Sequence, residues 1–387
     1  MIERHFPLPD PAASNVLLKR IAEAEPVVAP RPVESPLVLY GAGNLGRMAR
    51  SYFNYLGIPV EAVVDADVAA HKNDPFWLGV SLYSADAVPE TLKREAMLAV
   101  CIATLPIVPL ELALHAAGWR DVVPFYDICE AYRDRHPLGN GWFSGPLEGD
   151  VAKITTILAR WDDDISRAHH LQFIAWHSLR EEWSFEGAPV TTGDRYFIPE
   201  LMSRLRPNES LVDVGAHLGE VSRQWLDRMG DVRSITMIEA DPLNYQACAE
   251  LADTDVRISS YCLAVAEFKG RSAFSAGLDY VSQLNVLGSD EVEVVRLDDL
   301  AIPEVNYLKL HLEGGEFSAL KGAIEMLKIQ RPIVAATAYH NRLGLWALPY
   351  LLDEQLENYQ MLFRLHSWCG TGAVVYAIPR ERLCQSK

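Results

Sequence analysis

Two glycine loops restrict this chain more than any other feature: GAGNLG at 41–46 and DVGAHLG at 213–219, each set between an apolar run and an amphipathic run. A loop of this kind turns a strand directly into a helix while keeping the backbone close to its neighbours, as a doubly wound α/β sheet requires. Before the first loop, LVLY (37–40) reads as a strand. After it, Leu45, Met48, Ala49, Tyr52, Phe53 and Leu56 recur at helical spacing. VEAVVD (60–65) is the next strand, giving a βαβ opening. Strand–helix alternation restarts near 210 and runs almost to the end, so the fold class is α/β, with two doubly wound Rossmann-like domains. Between them, ITTILARWDDDISRAHHLQFIAWHSLREEW (154–183) reads as two helices, with Asp162–Asp164 supplying a break and an N-cap. The predicted partition is an N-terminal helix and proline-rich link (1–35), a Rossmann-like domain (36–135), a helical connector (136–195) and a second sheet domain (196–387).

A length of 387 residues suits two or three domains. The formal charge of −17 and the absence of a basic run argue against nucleic acid or an anionic membrane as partner. Six cysteines without a C-x-x-C pair read as reduced thiols. The opening MIERHFPLPDPAASN has no apolar secretory segment. The stretch 96–119 is apolar enough to span a membrane, but Pro106, Pro109, Glu111 and His115 interrupt it, so a buried strand feeding a helix is expected. A cytoplasmic protein is predicted.

In the second loop, Asp213 ends a strand, Gly215 turns the backbone and Gly219 opens a helix. ITMIEADP then ends the following strand at Glu239, where a carboxylate receives a ribose diol. An acid at 213 would repel a pyrophosphate but suits the ammonium of a methionine moiety, which favours S-adenosylmethionine. Tyr196, just upstream in TTGDRYFIPEL, either closes over that donor or packs. In the first loop Gly41, Gly43, Gly46 and Asp65 fit a dinucleotide fingerprint. The readings there are NAD, a nucleotide sugar, or close packing alone.

VNYLKLHLEGGE (305–316) places Lys309, His311 and Glu313 on one face if the strand alternates throughout. Three ionisable groups at the carboxyl end of a central strand point to chemistry. An alcohol that accepts a methyl group must lose its proton, and Glu313, Glu316, His311 and His340 are the candidate bases. His169, His170 and His177 lie on predicted helices without a spaced thiol or carboxylate, and no metal is predicted.

From about Tyr196 to Pro379 the chain resembles the FkbM-type methyltransferase family. The residues that carry the resemblance are DVGAHLG (213–219), IEADP (238–242), KLHLEGGE (309–316) and RPIVAATAYH (331–340). The resemblance implies a seven-stranded class I methyltransferase sheet, S-adenosylmethionine as donor, and an oxygen acceptor on a sugar-like molecule, glycan or secondary metabolite. The first domain looks like the Rossmann-like modules that precede sugar-modifying enzymes. Two positions depart from the family pattern: His311 replaces an Asp, and Gly344 stands where an acid is common. Two other classes remain open, an NAD-dependent oxidoreductase centred on GAGNLG and a non-catalytic donor-binding scaffold in which those two positions mark decay.

Overall fold

The computed structural model describes residues 1–26, 30–147, 149–278, 281–286 and 288–383. Cys384, three residues of the proline-rich link (27–29) and three of the loop 276–290 (279, 280 and 287) lie outside the described residues. β1 (Ile2–Phe6) belongs to neither large sheet. The first large sheet comprises β2 (Leu37–Tyr40), β3 (Val60–Val64), β4 (Ser81–Tyr83), β5 (Met97–Val100) and β6 (Asp121–Pro124). All its pairings are parallel, in the order β4-β3-β2-β5-β6. Leu37–Leu39 and Met97–Val100 are buried at every position because helices cover both faces, which is why these strands read as unbroken apolar runs. The apolar stretch 96–119 resolves into β5 and the helix Ile107–Ala116. No described helix is long and apolar enough to cross a membrane.

After β7 (Glu181–Phe185), the second domain contains β8 (Glu209–Val214), β9 (Val232–Glu239), β10 (Ile258–Cys262), then β11 (Ala264–Val265), β12 (Gly270–Ser275), β13 (Gln283–Leu284) and β14 (Asp290–Val295). β15 (Tyr307–Leu310), β16 (Ile333–Thr337), β17 (Tyr359–Leu365) and β18 (Ala373–Pro379) complete it. The main sheet has seven strands in the order β10-β9-β8-β15-β16-β18-β17, with β18 antiparallel to both neighbours. β11–β14 form a small flanking sheet. The strand order reverses at β8/β15 in this sheet and at β2/β5 in the first, and a doubly wound sheet opens its crevice at that point.

One helix fastens the two domains together. Asp163 caps the helix Asp164–Leu179 by accepting from the Ser166 amide, and every residue from Ser166 to Leu179 is buried. A helix surrounded by protein needs no polar face, so its three histidines and Trp176 are packing groups. His177 stacks on Trp142 with ring centres 3.7 Å apart, and His170 Nδ1 accepts from Trp161 Nε1. Burial lowers the pKa of His169, His170 and His177, which holds them neutral. Past the helix, Arg180 lies 3.1 Å from Asp127 of the first domain and donates to the Gly141 carbonyl at 2.5 Å. The Trp368 amide of the second domain donates to Ala103 of the first. The N-terminal segment also docks here: β1 pairs in parallel with β7, and Arg4 bonds Glu181.

Asp127→Ala would leave the Arg180 charge buried and unpaired. The expected loss is about 3–5 kcal/mol of stability, read as a lower midpoint in urea denaturation.

Candidate functional site

Both glycine loops open onto one cavity of about 1030 Å³ between the domains. Gly41, Gly43 and Asp65 line it from one side, while Gly215, Glu239, Lys309, His311, Glu313 and His340 line it from the other. Gly215 has φ +70°, and a Cβ there would stand 1.9 Å from the His311 carbonyl oxygen. Only glycine permits that approach of the β8 loop to the β15 loop. In the first loop, a Cβ at Gly46 would come within 2.0 Å of the Gly41 carbonyl, whereas one at Gly43 would meet nothing within 4 Å.

The two loops are wired alike. Glu239 accepts from the His217 amide at 2.7 Å and from the Asp241 amide, two residues on, at 2.9 Å. Asp65 accepts from the Ala42 amide at 2.7 Å and from the Asp67 amide at 2.8 Å. Each acid holds its own loop and also faces the cavity. Burial lifts the Glu239 carboxyl above the ordinary range against the amides that favour its anion.

Asp213 corrects the expectation that it meets the donor's ammonium. It is fully buried beneath the loop, with Oδ1 2.8 Å from Lys309 Nζ and Oδ2 accepting from Ser222. Lys309 also donates to the Gly215 carbonyl at 2.7 Å, so the acid acts through the lysine on the loop. Gly219, with φ +80°, starts the helix Glu220–Met229 and stands away from the cavity lining. β15 ends at Leu310, before the expected alternation reaches His311 and Glu313. Beyond it the chain turns, Glu313 takes φ +47°, and both side chains swing into one cluster.

At the centre of that cluster, Glu313 Oε1 lies 3.0 Å from His311 Nε2 and 3.2 Å from His340 Nε2. His340 Nδ1 lies 2.7 Å from Glu316 Oε1. Glu316 is also held by the Leu312 and Gly314 amides and by Thr337 Oγ1. Burial works against a cation at His340, but Glu313 and Glu316 raise its pKa well above the usual value, so it is an imidazolium at neutral pH. Burial lowers His311 to about 4 despite Glu313, which leaves it neutral. Burial opposes charge on Glu313 and Glu316, but the His340 cation and the hydrogen-bond donors around each carboxylate together hold both below the usual range, so they stay ionised. His311 Nδ1 is 2.8 Å from the Tyr196 hydroxyl, and Nε2 is 3.1 Å from the Tyr339 hydroxyl. Ligand-type atoms of His311, Glu313 and His340 lie within 4.8 Å of one another, a set whose chemistry also suits a divalent ion. In this structure they engage one another and the tyrosines.

Tyr196 has φ +69°, its amide donating to the Tyr376 hydroxyl and its carbonyl accepting from Tyr307 at 2.5 Å. Its hydroxyl is directed at His311, so it reaches the site through the histidine. Tyr339, Tyr307, Tyr376 and Arg195 were not singled out by sequence. Arg195 and Tyr339 directly precede Tyr196 and His340, and that adjacency was the available signal. At Gly344 a Cβ would lie 1.6 Å from the Ala338 carbonyl oxygen, so the backbone excludes any acid there. Packing explains that departure without decay.

This crevice, at the reversal point of a seven-stranded sheet with a ribose-type acid and a glycine loop, defines an α/β methyltransferase fold. Residues 213–361 match the family model described as the methyltransferase FkbM domain, and the C-terminal half is an FkbM-type methyltransferase domain, which implies S-adenosylmethionine as donor. The crystal structure of methyltransferase FkbM from Methylobacillus flagellatus KT aligns over 95% of this chain and 100% of its own, with a TM-score of 0.61 and 21% identity, and so shares the fold of both domains. Precorrin-6y C5,15-methyltransferase from Geobacter metallireducens GS-15 covers 49% of this chain and 98% of its own, at 14% identity and a TM-score of 0.30. N-methyltransferase NodS from Bradyrhizobium japonicum WM9 covers 46% of this chain and 92% of its own, at 10% identity and a TM-score of 0.30. No curated protein matches the sequence.

Gly215→Ala is expected to cost about 1–3 kcal/mol through overpacking and to abolish S-adenosylhomocysteine binding. Gly43→Ala, with φ −71° and open space around it, should leave the denaturation midpoint unchanged or raise it slightly. Chemical denaturation of both variants checks the contrast.

Proposed function

We propose that the protein transfers a methyl group from S-adenosylmethionine to a hydroxyl oxygen of a small sugar-like, glycan or secondary-metabolite acceptor, which the first domain helps to present. The observation that carries this reading is that Glu239 and the Gly215 loop share one cavity with the neutral, partly buried imidazole of His311. The donor supplies a methyl group already activated on a sulfonium. Glu239 would hold its ribose, Leu263, Ala264 and Val265 offer an apolar wall for adenine, and the Gly215 loop would take the methionine part.

His311 is assigned as the proton acceptor. With Nδ1 engaged by the buried Tyr196 hydroxyl, Nε2 is the basic nitrogen, and an acceptor hydroxyl in the cavity delivers its proton there directly or through the Tyr339 hydroxyl, which lines the cavity 3.1 Å away. A weak base suffices because the oxygen becomes strongly acidic as the methyl bond forms. Glu313 stabilises the imidazolium that results, while the His340 cation fixes Glu313 and Glu316 fixes His340. His340 and Glu313 thus act as the orienting pair.

For the first domain, the matching wiring of Asp65 and Glu239 supports a nucleotide at the first loop, either the nucleotide part of an activated sugar or NAD. An oxidoreductase would further need a hydride-transfer constellation, and the cavity offers a methyl-transfer one.

Glu239→Ala should weaken S-adenosylhomocysteine binding about 10- to 100-fold, since a charged hydrogen bond is worth about 1.5–3 kcal/mol. His311→Ala should keep that binding and lose transfer of label from methyl-labelled donor into a cell extract; label transfer at the wild-type rate would remove His311 from the chemistry. Because the ribose needs the ionised carboxylate and the Glu239 pKa is raised, binding should weaken as pH falls, at a higher pH than an ordinary glutamate near 4.3 would allow. Calorimetry across that range checks the sign.

A further inference from the structure

Of the cavity's charged groups that the transfer step does not use, Arg133 is paired with Glu130 and Glu220 with His217, but Arg195 has no such partner among the described residues. Arg195 lines the cavity half-buried, and its Nη2 has Ser367 Oγ as a neighbour at 3.4 Å. Its Cζ stands 6.0 Å from the centre of the Tyr339 ring. No carboxylate among the described residues forms an ion pair with it, whereas Lys309 and Arg180 are each paired. A partly buried guanidinium without an anion gives up hydration for nothing unless a ligand supplies the partner, and its planar fork fits a carboxylate or phosphate.

Its place decides which ligand. Ser367 lies in the β17–β18 turn, and Tyr339 follows β16. The donor crevice lies over β8 and β9, and β8 to β18 is three strand steps, about 14 Å at the usual spacing. Arg195 is therefore on the acceptor's side. Tyr339 bridges the gap, since its hydroxyl lies 3.1 Å from His311. Glu239 stands where a cationic donor belongs, and Arg195 stands beyond the base. A chain of formal charge −17 repels anions overall, so an acidic acceptor needs a local cation of this kind.

We propose that Arg195 anchors an oxyanion on the methyl acceptor, which makes the substrate an acidic molecule of the sugar-acid or sugar-phosphate class. This rests on the methyl-transfer reading above. The test uses the full chain saturated with S-adenosylhomocysteine and measures binding of glucuronate, glucose 1-phosphate and glucose by calorimetry, in wild type, Arg195→Gln and Arg195→Lys. At least one charged probe should bind about tenfold or more tighter than glucose, and Arg195→Gln should erase that advantage, as loss of a charged hydrogen bond implies. Arg195→Lys should restore part of it. The better of the two charged probes tells carboxylate from phosphate. S-adenosylhomocysteine affinity and melting temperature should be unchanged in the variants. Equal binding of charged probes by wild type and Arg195→Gln, or no saturable binding of either, overturns the proposal. Loss of S-adenosylhomocysteine binding in Arg195→Gln would assign the arginine to the donor and overturn it too, with methyl transfer intact. Failure of wild type to bind S-adenosylhomocysteine would defeat the methyl-transfer reading itself.

Discussion

Lys309 and Asp213 meet 2.8 Å apart at the buried centre of the second sheet, and the site depends on that contact. The parallel register of β8 and β15 sets the two residues opposite each other, so their side chains share a face. A charge buried so deeply is tolerated only when paired and hydrogen-bonded. Asp213 meets the requirement with Lys309 and Ser222, and Lys309 meets it with Asp213 and the Gly215 carbonyl. The pair thereby holds the glycine loop against the His311 carbonyl, where no larger residue than glycine fits.

Backbone strain accumulates around the same point. Tyr196, His217 and Glu313 all have positive φ, a conformation that costs a non-glycine residue about 1–3 kcal/mol. Each is held from elsewhere: Tyr196 by hydrogen bonds with two tyrosine hydroxyls, His217 by one to Glu239, and Glu313 by the imidazoles of His311 and His340 at 3.0 and 3.2 Å. The protein spends packing energy to aim these groups into one space. Burial then leaves His311 neutral, while Glu313 and Glu316 on either side of His340 keep it cationic.

The cavity exists because the connector helix is buried on all sides and clasps both domains. Arg180, at its end, ties the helix to Asp127, and Trp142 links His177 to the Tyr339 carbonyl. The interdomain contacts thus run up to the histidine–glutamate cluster, and the first glycine loop faces the second across the cavity.

Much of this was legible in the chain. The apolar runs at 37–40 and 97–100, the glycine loops, and the carboxylates ending β3 and β9 report local rules of strand, turn and helix, and such rules act over a few residues. The two doubly wound sheets and the candidate set Glu239, His311, Glu313 and His340 were readable for that reason, whereas the seven strands of the second sheet came from the family resemblance. Other features depend on residues far apart in sequence. Asp213 points into the core because β15 supplies a lysine opposite it, and β15 stops at Leu310 because the next turn must meet Glu316. The proton states of His311 and His340 differ because burial and two carboxylates act on them unequally, and Arg195 stands alone only because of what the fold leaves out of its reach. Sequence determined which groups were available, but their charge, direction and partners arose from long-range packing and desolvation, which exist only once the chain has closed on itself.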